Sequence, residues 1–195
     1  MLGAWDDAVF KWINGGWSSP FLDEIFRFFT LATKIPWVVA LLAVILLTYI
    51  LAGPKTRAAA IQAMIAWPLA NEFTDIIKNS IQTLRPCVVH PDYARVFDYA
   101  GKAILLDSSG TLSAHAANMA AVATVVALRL KWWGVPWILF ALLSGLSRIY
   151  VGVHYPSQVI LGWFAGTIIG VAIVKAWDWY SRRRIISSPE PPTTP

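Results

Sequence analysis

Cysteine is nearly absent from this 195-residue chain: Cys87 is the single one, so neither an internal disulfide nor a multi-cysteine metal site can form. Charge is scarce as well, with Asp, Glu, Lys and Arg making up 14% of the residues. A soluble domain carries roughly 25%. Histidine is limited to three residues and acidic residues to 11. The first residues, MLGAWDDAVFKW, lack both a basic start and an apolar stretch, so they do not read as a cleavable signal peptide. What fills the chain instead is apolar: 57% of residues, 11 of them Trp, with a mean hydropathy of +0.56. These proportions argue against a water-soluble globule and against disorder, because the apolar surface available for burial is large.

The uncharged run from Ile35 to Pro54 is about the length that crosses a hydrocarbon core, roughly 20 residues. Further apolar runs at 58–79, 113–130, 132–152 and 156–177 predict four more spans, several with Trp at or near their ends, as an interfacial aromatic belt requires. The expected fold is therefore all-α, a polytopic membrane helix bundle with five firm spans. Residues 4–16 and 20–33 predict two short helices. The second carries Asp23, Glu24 and Arg27, which suits an interfacial or re-entrant segment, or a sixth span. The chain divides into one membrane domain over 1–182 and a basic tail over 183–195, whose ISSPEPPTTP end reads as disordered.

The net charge of +5 does not point to nucleic acid, because the cations fall between the apolar runs. Lys55, Arg57, Arg129, Lys131, Lys175 and Arg182–Arg184 gather on one side, which the positive-inside rule makes cytoplasmic, with the C-terminus there. The arginine run is a topology signal first and an anionic-lipid contact second. The opposite face receives the 81–112 loop and the 150–156 turn, and with them the histidines.

Three stretches meet at that outer face. Lys78 and Arg85, the latter followed by Pro86, supply two cations suited to a phosphate; alone they read as interfacial anchors. Ser108 to His115 leads into a helix whose N-terminus offers backbone N–H groups to an anion, with Ser113 as a plausible cap; alone this is a capped helix. Arg148 ends one span, His154 lies in the turn and Pro156 opens the next helix.

Together these stretches resemble the signature of the type 2 phosphatidic acid phosphatase superfamily of integral membrane lipid phosphatases. Its motifs Lys-x6-Arg-Pro, Pro-Ser-Gly-His and Ser-Arg-x5-His-x3-Asp match Lys78 to Pro86, Leu112 to His115, and Ser147 to Gln158, in order. The likeness runs from about Ala58 to Trp177. It implies His154 as nucleophile forming a phosphohistidine and His115 as general acid. Lys78, Arg85, Ser113, Ala114 and Arg148 would hold the phosphate oxygens, and no metal or other cofactor is implied. Implied partners are a membrane lipid substrate and the bilayer, at the extracytoplasmic face of a bacterial-type inner membrane.

Two departures matter. Leu112 and Ala114 stand for the family's Pro and Gly, and Gln158 stands for the Asp that orients the nucleophilic imidazole. In a Ser-His-Asp triad an amide in place of the acid lowers the rate about 10⁴-fold. Gln158 can still accept a ring N–H; Glu72, Asp75 and Asp107 are the other acids near the motifs. His90 with Asp92 reads as a solvated loop pair and Cys87 as a packed side chain. The resemblance implies hydrolysis of undecaprenyl pyrophosphate first, with phosphatidylglycerol phosphate, phosphatidic acid or lipid A phosphates as alternatives. Transfer of the phosphate to another lipid, and binding of headgroups without turnover, stay open.

Overall fold

The computed structural model describes residues 3–99, 102–103 and 109–186. Eight α-helices are present among them: α1 Ala4–Lys11, α2 Pro20–Leu31, α3 Pro36–Ala52, α4 Pro54–Ser80, α5 Pro86–Val89, α6 Ala114–Leu130, α7 Val135–Tyr150 and α8 Pro156–Ile186. Most open on a proline in the first turn, where its missing N–H costs nothing and its fixed φ suits the helix. A π-turn, Trp12–Gly16, continues α1, and a two-residue antiparallel ladder pairs Asp98–Tyr99 with Lys102–Ala103.

All five apolar runs are helical, with shifted ends. Helix α4 begins earlier than expected, at Pro54, and α7 starts later, after a 3-10 turn over Lys131–Gly134. The chain turns at Lys131, with φ +55°, so α7 packs back on α6. Helix α8 runs through Ile186, so residues 183–186 of the expected disordered tail are helical. Basic residues in a last turn complement the helix dipole, and Arg183 lies 3.9 Å over the Trp179 ring one turn back. The rest of that tail lies outside the described residues. By length and composition, Ala114–Tyr150 and Pro156–Arg183 qualify to cross a membrane. Pro20–Lys34 and Pro36–Ala52, bent by 64°, qualify together as a third span.

Helix α6 is the centre of the bundle, with α4, α7 and α8 around it. Half of its buried residues are alanine, and α8 meets it with Gly162, Gly166 and Gly170, spaced four apart. A Cβ on Gly166 would lie 2.1 Å from the Ala117 carbonyl oxygen, and one on Gly162 2.6 Å from that of Ser113. Small residues at this spacing let two helix backbones touch, which in lipid is a main source of association. Outward faces carry large apolar side chains, Leu41, Val44, Leu47 and Leu51 on α3 and Phe164 and Ile168 on α8, as lipid contact requires.

The N-terminal segment does more than lie at an interface. Phe10, Ile13 and Phe26 join Cys87, Phe97, Tyr150 and Val153 in one core. Asp6 accepts hydrogen bonds from the Ser157 amide at 2.9 Å and from its hydroxyl, capping α8 from a distance. Asn14 Nδ2 donates to the carbonyls of Arg95 at 3.0 Å and Tyr150 at 2.7 Å. The Arg95 guanidinium reaches both Asp23 oxygens, at 2.9 and 3.1 Å, and the Tyr150 hydroxyl donates to the same carboxylate.

Gly166→Ala is expected to lower the thermal midpoint of the detergent-solubilised protein. Overpacking costs about 1–3 kcal/mol. Gly15→Ala, where an added Cβ meets nothing within 4 Å, is the control that leaves the midpoint in place.

Candidate active site

The turn between α7 and α8 holds His154 by its backbone. The amides of Val153 and His154 both donate to the Arg148 carbonyl, each at 3.1 Å. Gly152 has φ +81°, and a Cβ there would lie 2.4 Å from the Arg95 carbonyl oxygen, so glycine alone fits. The Gly152 carbonyl accepts from the Cys87 amide at 3.1 Å, tying the Arg85–Pro86 stretch to the histidine turn.

The His154 ring is gripped at both nitrogens. Its Nε2 lies 2.9 Å from Arg85 Nη1, and because a guanidinium only donates, Nε2 presents its lone pair. The ring proton is then on Nδ1, which donates to Gln158 Oε1 at 3.0 Å. That oxygen also accepts the Tyr155 amide at 3.1 Å, and Gln158 Nε2 points to Thr83 Oγ1 at 3.4 Å, so the amide is held oxygen-first toward the ring. The side chain is 3% exposed. Burial, then the Arg85 and Arg148 charges, hold the His154 imidazole well below the usual histidine range, and the Gln158 bond opposes this only in part. The ring is therefore neutral at physiological pH.

Arg85 is itself anchored, donating to the carbonyls of Val153 at 3.0 Å and Ser109 at 3.1 Å. Gly110 brings the Ser109 loop against it: a Cβ there would stand 3.0 to 3.1 Å from the Gln158 amide and Arg85 Cγ. Ser113 caps α6, its Oγ accepting the Ala116 amide at 3.4 Å, and its own amide donates to the Gln158 carbonyl at 3.1 Å. The first-turn amides of Ala114 and His115 precede the helix ladder, as those of any helix start do. Arg148 is 5% exposed and its Nε has no hydrogen-bond partner among the described residues.

Thus Arg85, Ser113, Arg148, His154 and Gln158 stand together. His115 follows Ser113 in the first turn of α6, and Lys78 lies in the last turn of α4, the helix packed on α6. The His115 ring lines a small cleft of about 30 Å³ together with Phe29, Trp67, Asn118, Phe140 and Ser144. Lys78 Nζ lies 3.3 Å from Asp75 Oδ1. Asp75 is therefore engaged with Lys78, Glu72 is exposed, and Asp107 lies outside the described residues. His90 pairs with Asp7 at 3.2 Å and stacks on Tyr93, so its acidic neighbour is Asp7 in place of Asp92. Cys87 is buried in the core beneath the loop.

No site role is legible in the sequence for Asp6, Asn14, Asp23, Thr83, Arg95 or Gly110. None carries a local signal of its role, since each acts on a residue far away in the chain. The glycine spacing on α8 was legible and is the one signal that could have placed α6 against α8.

Residues 37–182 match the PAP2 superfamily. An undecaprenyl-diphosphatase of Sulfolobus acidocaldarius is 29% identical over 126 residues, 62% of this chain and 56% of that protein's length. The undecaprenyl-diphosphatase BcrC of Bacillus subtilis is 27% identical over 87% of this chain and 83% of its own. Among solved structures, that of Aquifex aeolicus LpxE superposes with a TM-score of 0.67 at 25% identity, covering 88% of this chain and 96% of LpxE. A transmembrane PAP2-type phosphatidylglycerolphosphate phosphatase of Bacillus subtilis shares the fold, with a TM-score of 0.65 at 20% identity over 90% of this chain and 85% of its own. With its three motif segments folded against one buried histidine and most of its length matched, the chain belongs to the PAP2 superfamily.

Proposed function

We propose that the protein hydrolyses a lipid phosphate or diphosphate without a metal, through a phosphohistidine on His154, and that undecaprenyl pyrophosphate is the substrate. The observation that carries this reading is the buried His154 ring, neutral, with its proton held on Nδ1 by Gln158 and its Nε2 lone pair turned toward Arg85. A nucleophile needs that lone pair, and an arginine beside it is where the phosphate oxygens belong. Two curated relatives named as undecaprenyl-diphosphatases support the choice of substrate.

In this mechanism the incoming phosphate takes over the Arg85 hydrogen bonds and so uncovers Nε2. Arg85, Arg148 and Lys78, with the Ser113 hydroxyl and the amides at Ala114 and His115, neutralise the equatorial oxygens as the charge spreads. Nε2 attacks phosphorus, His115 gives a proton to the leaving oxygen, and water then releases phosphate from the histidine. Gln158 keeps the tautomer but contributes no negative charge to the imidazolium-like intermediate. The site faces outward across a bacterial-type inner membrane. The five apolar helices α3, α4, α6, α7 and α8 each cross it, and the C-terminus is cytoplasmic.

Purified protein in EDTA is expected to release phosphate from undecaprenyl pyrophosphate faster than from phosphatidic acid or phosphatidylglycerol phosphate. His154→Ala abolishes release, and His115→Ala slows it about 10²–10⁴-fold, the usual contribution of a general acid. Release by His154→Ala at the wild-type rate sinks the mechanism.

The pH dependence has a definite sign. With its pKa depressed, His154 stays neutral as pH falls through the ordinary histidine range, so its protonation does not lower wild-type kcat/KM there. Gln158→Asp places an anion on Nδ1 and raises that pKa, so the variant loses activity at a higher pH on the acid side while its plateau rate exceeds wild type. A pH–rate profile of the two proteins checks both parts.

A further inference from the structure

Asp75 sets the orientation of two side-chain amides, the second of which stands beside His115. Lys78 Nζ lies 3.3 Å from Asp75 Oδ1, Asn71 Nδ2 donates to Asp75 Oδ2 at 2.9 Å, and Asn118 Nδ2 donates to Asn71 Oδ1 at 3.2 Å. The carboxylate paired with Lys78 only accepts, so Asn71 turns its NH₂ to it and its carbonyl oxygen to Asn118. Asn118 then donates with its own NH₂, which leaves its Oδ1 as a committed acceptor. Asn118 is 6% exposed, and Oδ1 has no hydrogen-bond partner among the described residues. It stands one helical turn from His115 on α6 and lines the same cleft. That cleft measures about 30 Å³, and Thr33 and Ser144 add to its polar lining. A polar cavity admits a water from about 10–15 Å³ upward, so this one is of water size.

We propose that Asn118 Oδ1 holds the water that hydrolyses the phosphohistidine, making Asn118 a further catalytic residue and one that selects water over an alcohol. The assignment rests on the phosphatase reading above and concerns its second half, after the leaving group has departed with the proton of His115. The water oxygen bonds to phosphorus as the P–Nε2 bond of His154 breaks, and the electron pair of that bond returns to Nε2. One water hydrogen passes to the His115 ring and restores the proton it gave away. The other stays on the oxygen, which becomes part of the phosphate, and donates to Asn118 Oδ1 throughout. With both hydrogens engaged, a lone pair of the water is left for phosphorus, the alignment that makes attack productive. An alcohol has one such hydrogen, which His115 takes. Its carbon then faces Asn118 Oδ1 and leaves that acceptor unpaired, a penalty that water does not meet. Asn118 thus favours release of phosphate to water over its transfer to another lipid.

The partition of the phosphohistidine between water and methanol tests this. Purified protein is given undecaprenyl pyrophosphate, phosphatidic acid or phosphatidylglycerol phosphate in aqueous methanol, and inorganic phosphate and methyl phosphate are measured by phosphorus NMR. Both products come from one intermediate, so a disturbed Lys78 or a loosened helix, which slows its formation, leaves their ratio alone. Wild type is expected to give a ratio of methyl phosphate to phosphate below the mole ratio of methanol to water. Asn118→Leu raises the product ratio about tenfold, the worth of one hydrogen bond. An Asn118→Leu ratio equal to that of wild type, zero included, overturns the Asn118 assignment and leaves the phosphatase reading standing. So does a wild-type ratio at or above the mole ratio of methanol to water, a result that decides the question even if Asn118→Leu fails to fold. A wild-type protein that releases phosphate from none of the three lipids overturns the phosphatase reading and the assignment with it.

Discussion

The contact between α6 and α8 is the constraint from which the site follows. Gly162, Gly166 and Gly170 let the two backbones touch, and the Ser113 amide then reaches the Gln158 carbonyl. That places the N-terminus of α6, with its cap and first-turn amides, beside the start of α8 with its histidine turn. Neither helix end is an active centre alone. A helix start is an anion site of modest strength, and a buried histidine needs only a partner for its proton. Brought together by a glycine stripe, they share one small volume into which Arg85 and Arg148 also reach.

Electrostatics explain why so many cations are tolerated there. Arg148 is almost fully buried and its Nε has no hydrogen-bond partner among the described residues, a cost that the proposed phosphate would offset. Gln158 fits the same scheme: with an amide at that position, burial and the neighbouring cations keep His154 neutral, so that in the proposed mechanism its lone pair attacks without a base. In the proposed mechanism the missing carboxylate is felt later, when the ring carries positive charge.

Around this centre the N-terminal segment acts as a buttress. Asp6 caps α8, Asn14 clips the Arg95 segment to the end of α7, and Asp23 ties Arg95 and Tyr150 together. These bonds converge on the turn that carries His154. Asp6 and Asp23, two of the acids of this segment, are thereby used to hold the histidine turn.

Much of this was legible in the amino acids. Apolar runs set the helices and prolines their starts, since hydrophobic length and a missing N–H act locally. The motif residues Lys78, Arg85, Ser113, His115, Arg148 and His154 were readable because their spacing to helix ends is itself local. Only the tertiary structure could decide what Gln158 does, because an amide's orientation depends on every donor around it: here the Tyr155 amide, the His154 ring and Thr83. The same holds for Asp6 and Asn14, whose partners lie more than 80 residues away. Sequence determines which groups are present and which helix end carries them. Which way each one faces is a property of the packed whole, because a hydrogen bond is directional and its partner is chosen by the fold.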